Sequence, residues 1–117
     1  MRGAFEESHS LYHEVLAIRL ELGDRLGVAR ALEGAAALAS ARGDSLAAAR
    51  TWGAAERLRE EIGSPIPPNE RSRNDRYAAA ARSRVDQEGA FDRAWRQGRE
   101  LPLNEAIELA FGATIAA

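Results

Sequence analysis

The sequence contains no cysteine, so disulfide bonds, thiolate nucleophiles and cysteine metal ligands are excluded. It also contains no lysine, because all sixteen basic side chains are arginine, and this excludes Schiff-base chemistry and a P-loop lysine. Aromatic residues make up only 6% and β-branched residues are few, so nearly every segment prefers a helix. These absences predict an all-α fold and remove many classes of enzyme.

The apolar residues are spread along the chain, and no uninterrupted run approaches the roughly 20 residues that a transmembrane helix requires. Near the start, Glu6 and Glu7 follow Arg2, so the segment lacks the basic and then apolar layout of a signal peptide. The sequence therefore predicts a cytoplasmic protein without membrane contact.

The net charge of −2 gives the chain no overall attraction for nucleic acid or anionic membranes. A local exception is the run 71–84, which holds five arginines against one aspartate. We interpret this run as a solvated helix face, because anionic partners usually require a broader basic surface. Nucleic-acid binding through it is the less favoured alternative.

Three glycine-centred breaks divide the first half of the chain, at residues 22–24, 42–44 and 62–64. In each, the glycine suits the left-handed position that ends a helix, and the following Asp or Ser suits the cap of the next element. The segments between the breaks are amphipathic, with apolar residues at helical spacing. They predict helices over about 3–22, 25–42 and 45–62.

The three segments differ in the size of their apolar residues. The first carries a stripe of large ones, Leu11, Val15, Ile18 and Leu22. The second presents mainly alanines, which allow a neighbouring helix to approach closely, and Trp52 in the third supplies the bulk for which they leave room.

A shift of the sequence by 40 residues superimposes the break at 22–24 on the break at 62–64, and Tyr12 on Trp52. This period predicts antiparallel helix pairs of an α-solenoid, in which each pair buries its apolar face against the next. Residues 1–64 would hold about one and a half such repeats.

Three prolines within residues 65–68 then interrupt the helical pattern, since proline removes a backbone donor and favours an extended connector. Three further helices are expected, over about 69–85, 87–99 and from Pro102 onward. Asn69 is the expected cap of the first of these, whose apolar contacts are Tyr77, Ala80, Ala81 and Val85. We interpret residues 65–117 as a C-terminal helical cap, so that about six helices form one all-α domain.

Residues 11–24, LYHEVLAIRLELGD, are similar to the tetratricopeptide-like (TPR-like) repeats of large bacterial transcriptional regulators and predicted ATPases of the LuxR type. Residues 53–65, the prolines after them, the segment AFDRAWRQGREL at 90–101 and EAI at 105–107 look like the region that closes those proteins at the C-terminus. The resemblance implies a TPR-like scaffold that serves as a sensor and oligomerisation platform. The sequence holds no phosphate-binding loop or recognisable DNA-reading helix, so the family's ATPase and DNA-binding functions are not transferred to it.

The candidate binding residues fall into two groups. For a partner protein they are Leu11, Tyr12, Val15, Ile18, Arg19 and Arg59. For a small-molecule pocket they are Trp52, Tyr77 and Trp95. The tryptophans are alternatively core residues, and Arg19 and Arg59, at equivalent repeat positions, are alternatively surface salt bridges with neighbouring glutamates. As a pair lining a groove, these arginines would instead hold an acidic peptide or a carboxylate ligand.

No catalytic residue, metal or cofactor is predicted. His9 and His13 share a helix face with Glu6 but lack a further ligand, so an exposed polar face explains them better than a metal site. Serine and histidine neighbours on one helix rarely reach the geometry of a nucleophile and its base.

We predict a non-catalytic protein-interaction and oligomerisation module that forms a homodimer through its exposed apolar stripe. The alternative is a helical domain of such a regulator that senses a small-molecule effector.

Overall fold

The structure, a computed structural model, describes Ile18 and residues 21–111. This part of the chain is all-α, contains no strand, and has no helix long and apolar enough to cross a membrane. Five helices lie wholly within it: α1 (Arg25–Ala41), α2 (Ser45–Ile62), α3 (Pro68–Ser83), α4 (Ala90–Glu100) and α5 (Leu103–Phe111). The predicted all-α class is confirmed, and the number of helices is close to the six expected. The first predicted helix, 3–22, lies mostly outside the described residues, although Ile18 and Glu21 are helical.

The α1–α2 hairpin forms where the glycine-centred breaks predict it. At the two helix starts, Asp24 and Asp44 each accept a hydrogen bond from the backbone N–H three residues later, at 2.9 and 3.3 Å. Gly43 follows the end of α1 with a φ of 88°, a left-handed conformation that other residues seldom adopt. The break at 62–64 differs, because Ser64 caps no helix and leads into the proline connector.

The core is built by packing large side chains against alanines. Trp52 of α2 is only 2% exposed, and it packs in one cluster with Phe91 of α4 and with alanines of four helices. A second cluster joins α1, α2 and α5, through Leu32, Leu58 and Phe111 among others. The predicted pairing of Trp52 with small neighbours is therefore confirmed.

Helices α2 and α4 cross at very close range because a glycine on each faces the backbone of the other. A Cβ at Gly53 would overlap the Trp95 carbonyl oxygen, and a Cβ at Gly98 would overlap the Arg50 carbonyl oxygen. Since side chains cannot approach backbone that closely, each position accepts another residue only if the helices move apart. The crossing holds Trp95 beside Trp52.

Helix α3 starts one residue earlier than predicted. Its first residue is Pro68, Pro67 occupies the cap position, and Asn69 lies within the first turn instead of capping it. Proline suits the first position because its fixed φ and missing N–H match a first helical turn. Helices α4 and α5 begin at Ala90 and Leu103, three residues and one residue later than predicted.

The inner face of α3 has fewer apolar residues than predicted. Ala81 is the one buried residue of this helix. Tyr77 and Ala80, which the sequence predicts to make apolar contacts, are exposed. The side of α3 that faces the core instead carries Asn74, which accepts the hydrogen bond of Trp52, and Ala78, which packs against the Trp52 cluster.

Candidate functional site

Two tryptophans from different helices form the centre of the candidate site. The rings of Trp52 on α2 and Trp95 on α4 are stacked, with centroids 6.1 Å apart and planes 20° apart. The Trp52 Nε1–H donates to Asn74 Oδ1 at 3.1 Å, and the Trp95 Nε1–H donates to Glu56 Oε1 at 3.0 Å. The polar ends of both indoles are therefore satisfied while their rings stay packed. The structure thus brings two of the three predicted pocket residues together.

A cavity of about 330 Å³ lies beside this pair, between α2, α3 and the proline connector. Both tryptophans line it, together with Pro65 and Ile66 from the connector, and we call it the tryptophan cavity. Tyr77, the third predicted pocket residue, is not part of its lining. Tyr77 instead lines a neighbouring cavity between α1 and α3, and Asn74 lines both cavities.

Several charged groups at the tryptophan cavity are paired with one another. Arg99 of α4 donates to Glu56 at 2.7 Å and to the two oxygens of Glu60 at 2.7 and 2.9 Å. These hydrogen bonds hold the pKa of the Glu60 carboxyl below its usual range and raise the pKa of Arg99. The side chains of Arg71 and Asp75 line the cavity without an ion pair or hydrogen bond to the described residues. The cavity therefore combines apolar lining with charges of both signs.

Arg59 forms an ion pair with a glutamate, which is one of its two predicted roles, but the pair is buried and does not lie at the surface. Its side chain is 5% exposed and makes a two-point ion pair with Glu33 of α1, at 2.5 and 3.0 Å. Its Nη1–H donates to the Ser64 carbonyl oxygen at 3.0 Å. The guanidinium therefore joins α1, α2 and the connector, and its hydrogen bonds are used within the chain. Local sequence patterns do not reveal this role, because Glu33 is 26 residues away.

The second cavity, of about 320 Å³, is a groove that the sequence pattern does not predict. Its lining includes Arg30, Gly34 and Ala37 of α1, and Arg73 and Tyr77 of α3. We call it the α1–α3 groove. The signal that could have revealed its α1 wall is a spacing of four and then three residues, which places the three residues on one helix face. Their mixed polarity obscures that pattern.

Four of the predicted partner-binding residues lie outside the described residues: Leu11, Tyr12, Val15 and Arg19. The same holds for His9 and His13. Ile18 and Leu22, the last two members of the apolar stripe, are 56% and 78% exposed. Within residues 21–111, no three Asp, Glu or His side chains are arranged to hold a metal ion.

The fold and these sites together describe an all-α protein in which an aromatic cavity and an arginine-lined groove flank α3. No protein-family model matches the chain, and neither a curated protein nor a solved structure matches it. The similarity to the C-terminal region of LuxR-type regulators therefore stays a prediction from the sequence.

Proposed function

We propose that the chain is a cytoplasmic, non-catalytic helical-repeat module that binds other proteins, and that it belongs to the C-terminal part of a bacterial LuxR-type transcriptional regulator. In this proposal the module also binds a second copy of itself. The observation that carries the proposal is the exposure of Ile18 and Leu22. Both belong to the apolar stripe that starts at Leu11, and proteins normally bury such a stripe against a partner.

The packing of the described helices supports a scaffold role because it holds them in fixed positions. The ion pair between Glu33 and Arg59 fastens α1 to α2, and the crossing at Gly53 and Gly98 holds α2 against α4. When a partner docks on a preformed surface, few residues of the chain lose conformational freedom, so the entropic cost of binding is smaller. Such a surface suits recognition of a partner protein.

Replacement of Ile18 or Leu22 by aspartate should weaken self-association. We expect the dissociation constant of the dimer to rise about tenfold or more, because each new carboxylate would lose its hydration at the interface. Size-exclusion chromatography coupled to light scattering, over a wide concentration range, measures this change. Leu109→Asp is the matched control, since Leu109 is also an exposed leucine but lies on α5. A parent chain that stays monomeric at high concentration, or a control that dissociates equally, would contradict the proposal.

A second candidate function, the sensing of a small-molecule effector, is favoured by the tryptophan cavity. Its volume of about 330 Å³ falls at the lower end of the range for small-ligand sites, roughly 300–1,000 Å³. The partly exposed ring of Trp95 offers it apolar surface, since Trp52 is almost fully buried, and Arg71 and Asp75 offer it charges of both signs. These walls suit a small polar molecule with a planar part.

A ligand in the tryptophan cavity should change the indole fluorescence of the chain in a saturable way, because Trp95 is partly exposed there. The measurement is a fluorescence titration with a library of metabolites. Ile66→Phe narrows the cavity and should lower the apparent affinity of a ligand about tenfold. Tyr77→Phe is the control, since Tyr77 lies outside this cavity, and it should leave the response unchanged. A response that Ile66→Phe does not alter would place the ligand elsewhere.

A further inference from the structure

The α1–α3 groove has two walls of similar construction. Arg30, Gly34 and Ala37 build the α1 wall, and Arg73 and Tyr77 belong to the α3 wall. On each helix these residues recur at intervals of three or four, so each set occupies one face. With a rise of 1.5 Å per residue, seven residues of helix give the groove a length of roughly 10 Å.

The groove carries positive charge that its own residues leave unpaired. The side chains of Arg30 and Arg73, one on each wall, make no ion pair or hydrogen bond with the described residues. The third arginine of the lining, Arg59, is neutralised by Glu33. The remaining carboxylate of the lining is Glu70, so three arginines stand against two glutamates. An anionic group that enters between the two unpaired arginines is therefore attracted to both.

We propose that the α1–α3 groove binds an acidic segment of a partner protein, with an Asp or Glu carboxylate of that segment held between Arg30 and Arg73. This inference names the partner chemistry of the interaction module proposed above and rests on that function. Arginine suits the task because its guanidinium can donate two parallel hydrogen bonds to a carboxylate.

Two features favour a protein segment over a small molecule as the occupant. The first is that Arg30, Arg73 and Tyr77 are all exposed, whereas a small-molecule site buries most of the surface of its ligand. The second is that Gly34 has no side chain and Ala37 only a methyl group, so an extended backbone can lie close to α1. A groove of roughly 10 Å accommodates about three extended residues, each about 3.3 Å long.

Fluorescence anisotropy with a fluorescein-labelled peptide, a run of glutamates flanked by glycines, tests the proposal on the intact chain. The same peptide with glutamine in place of glutamate should bind at least about tenfold more weakly. Arg30→Gln and Arg73→Gln should each weaken binding of the glutamate peptide about fivefold, and the double variant should weaken it further, because each removes a charge-assisted contact. Arg76→Gln is the matched control, since it removes the same charge from α3 at a position that does not line the groove.

Three results would overturn the assignment. The first is an absence of binding by the glutamate peptide. The second is an equal loss in Arg76→Gln and Arg73→Gln, which would mean diffuse attraction and no defined site. The third is competition by free glutarate at the same concentrations as the peptide, which would make a small dicarboxylate the occupant.

Light scattering on the same proteins separates this inference from the proposed function. Arg30→Gln and Arg73→Gln should leave self-association unchanged, and Ile18→Asp should leave peptide binding unchanged. If the chain forms dimers but does not bind the glutamate peptide, the groove assignment fails and the interaction module stands. If it binds the peptide but never self-associates, the dimer fails and the groove assignment stands.

Discussion

Replacement of Gly98 by alanine should lower the free energy of unfolding by about 3 kcal/mol or more. The added Cβ would overlap backbone atoms of Arg50 on α2, and backbone cannot rotate away as a side chain can. Helix α4 would therefore have to move outward, which would loosen its packing against Trp52. Gly53→Ala should act in the same way from the other helix, because its Cβ would overlap the backbone of Trp95.

Urea denaturation followed by circular dichroism measures the loss at Gly98. Gly63→Ala is the matched control, since Gly63 has a φ of 66° but open space around the position of a Cβ. Its cost comes only from the left-handed backbone and should be about 1 kcal/mol. A loss at Gly98 no larger than the loss at Gly63 would contradict the close crossing of α2 and α4.

Replacement of Arg59 by methionine should lower the free energy of unfolding by about 3–5 kcal/mol. Methionine keeps part of the packing of the arginine stem, so the loss is mainly electrostatic: Glu33 becomes an unpaired and mostly buried carboxylate. The Ser64 carbonyl oxygen loses its donor as well. Addition of Glu33→Gln to the same chain should restore part of the stability, because no unpaired buried charge then remains.

Arg82→Met is the control for Arg59→Met, because Arg82 also forms an ion pair, with Asp92 at 2.7 Å, but both partners are half exposed. Solvent screens such a pair, and its loss, together with the contact of Arg82 to the Phe91 ring, should amount to about 1 kcal/mol. Both variants are compared by the same urea denaturation. Equal losses at Arg59 and Arg82 would show that burial of the Glu33–Arg59 pair has no energetic effect.

The helix boundaries of the hairpin could be predicted because their signals are local. Helix α2 begins and ends at the predicted residues, since the Asp44 cap and the left-handed Gly63 depend only on a few neighbours. At α3 the local signals compete, because Pro68 and Asn69 both suit a helix start and the first of them takes that place. A first segment over 3–22 stays a prediction, as does its stacking in a TPR-like solenoid.

The candidate site could be predicted only in part. Trp52 and Trp95 meet because both are large side chains on the inner faces of their helices. Tyr77 is separated from them because α3 turns its Asn74 side toward Trp52, an orientation that no local sequence pattern predicts. The burial of Arg59 likewise depends on a residue far along the chain. Arg30 is one of sixteen arginines, and nothing near it in the sequence distinguishes it.

Gly53 and Gly98 also fix the axial register of α2 and α4. Gly53 meets Trp95 while Gly98 meets Arg50, so the two helices run in opposite directions and fit closely at this alignment. If α4 slid by one turn, about 5.4 Å, residues with side chains would lie where the two glycines now meet the backbone of the opposite helix, and the helices would be forced apart. The stacked tryptophans therefore keep a fixed lengthwise position relative to each other. Any rearrangement that a bound molecule causes here would have to move α3, or carry α2 and α4 together as one rigid body.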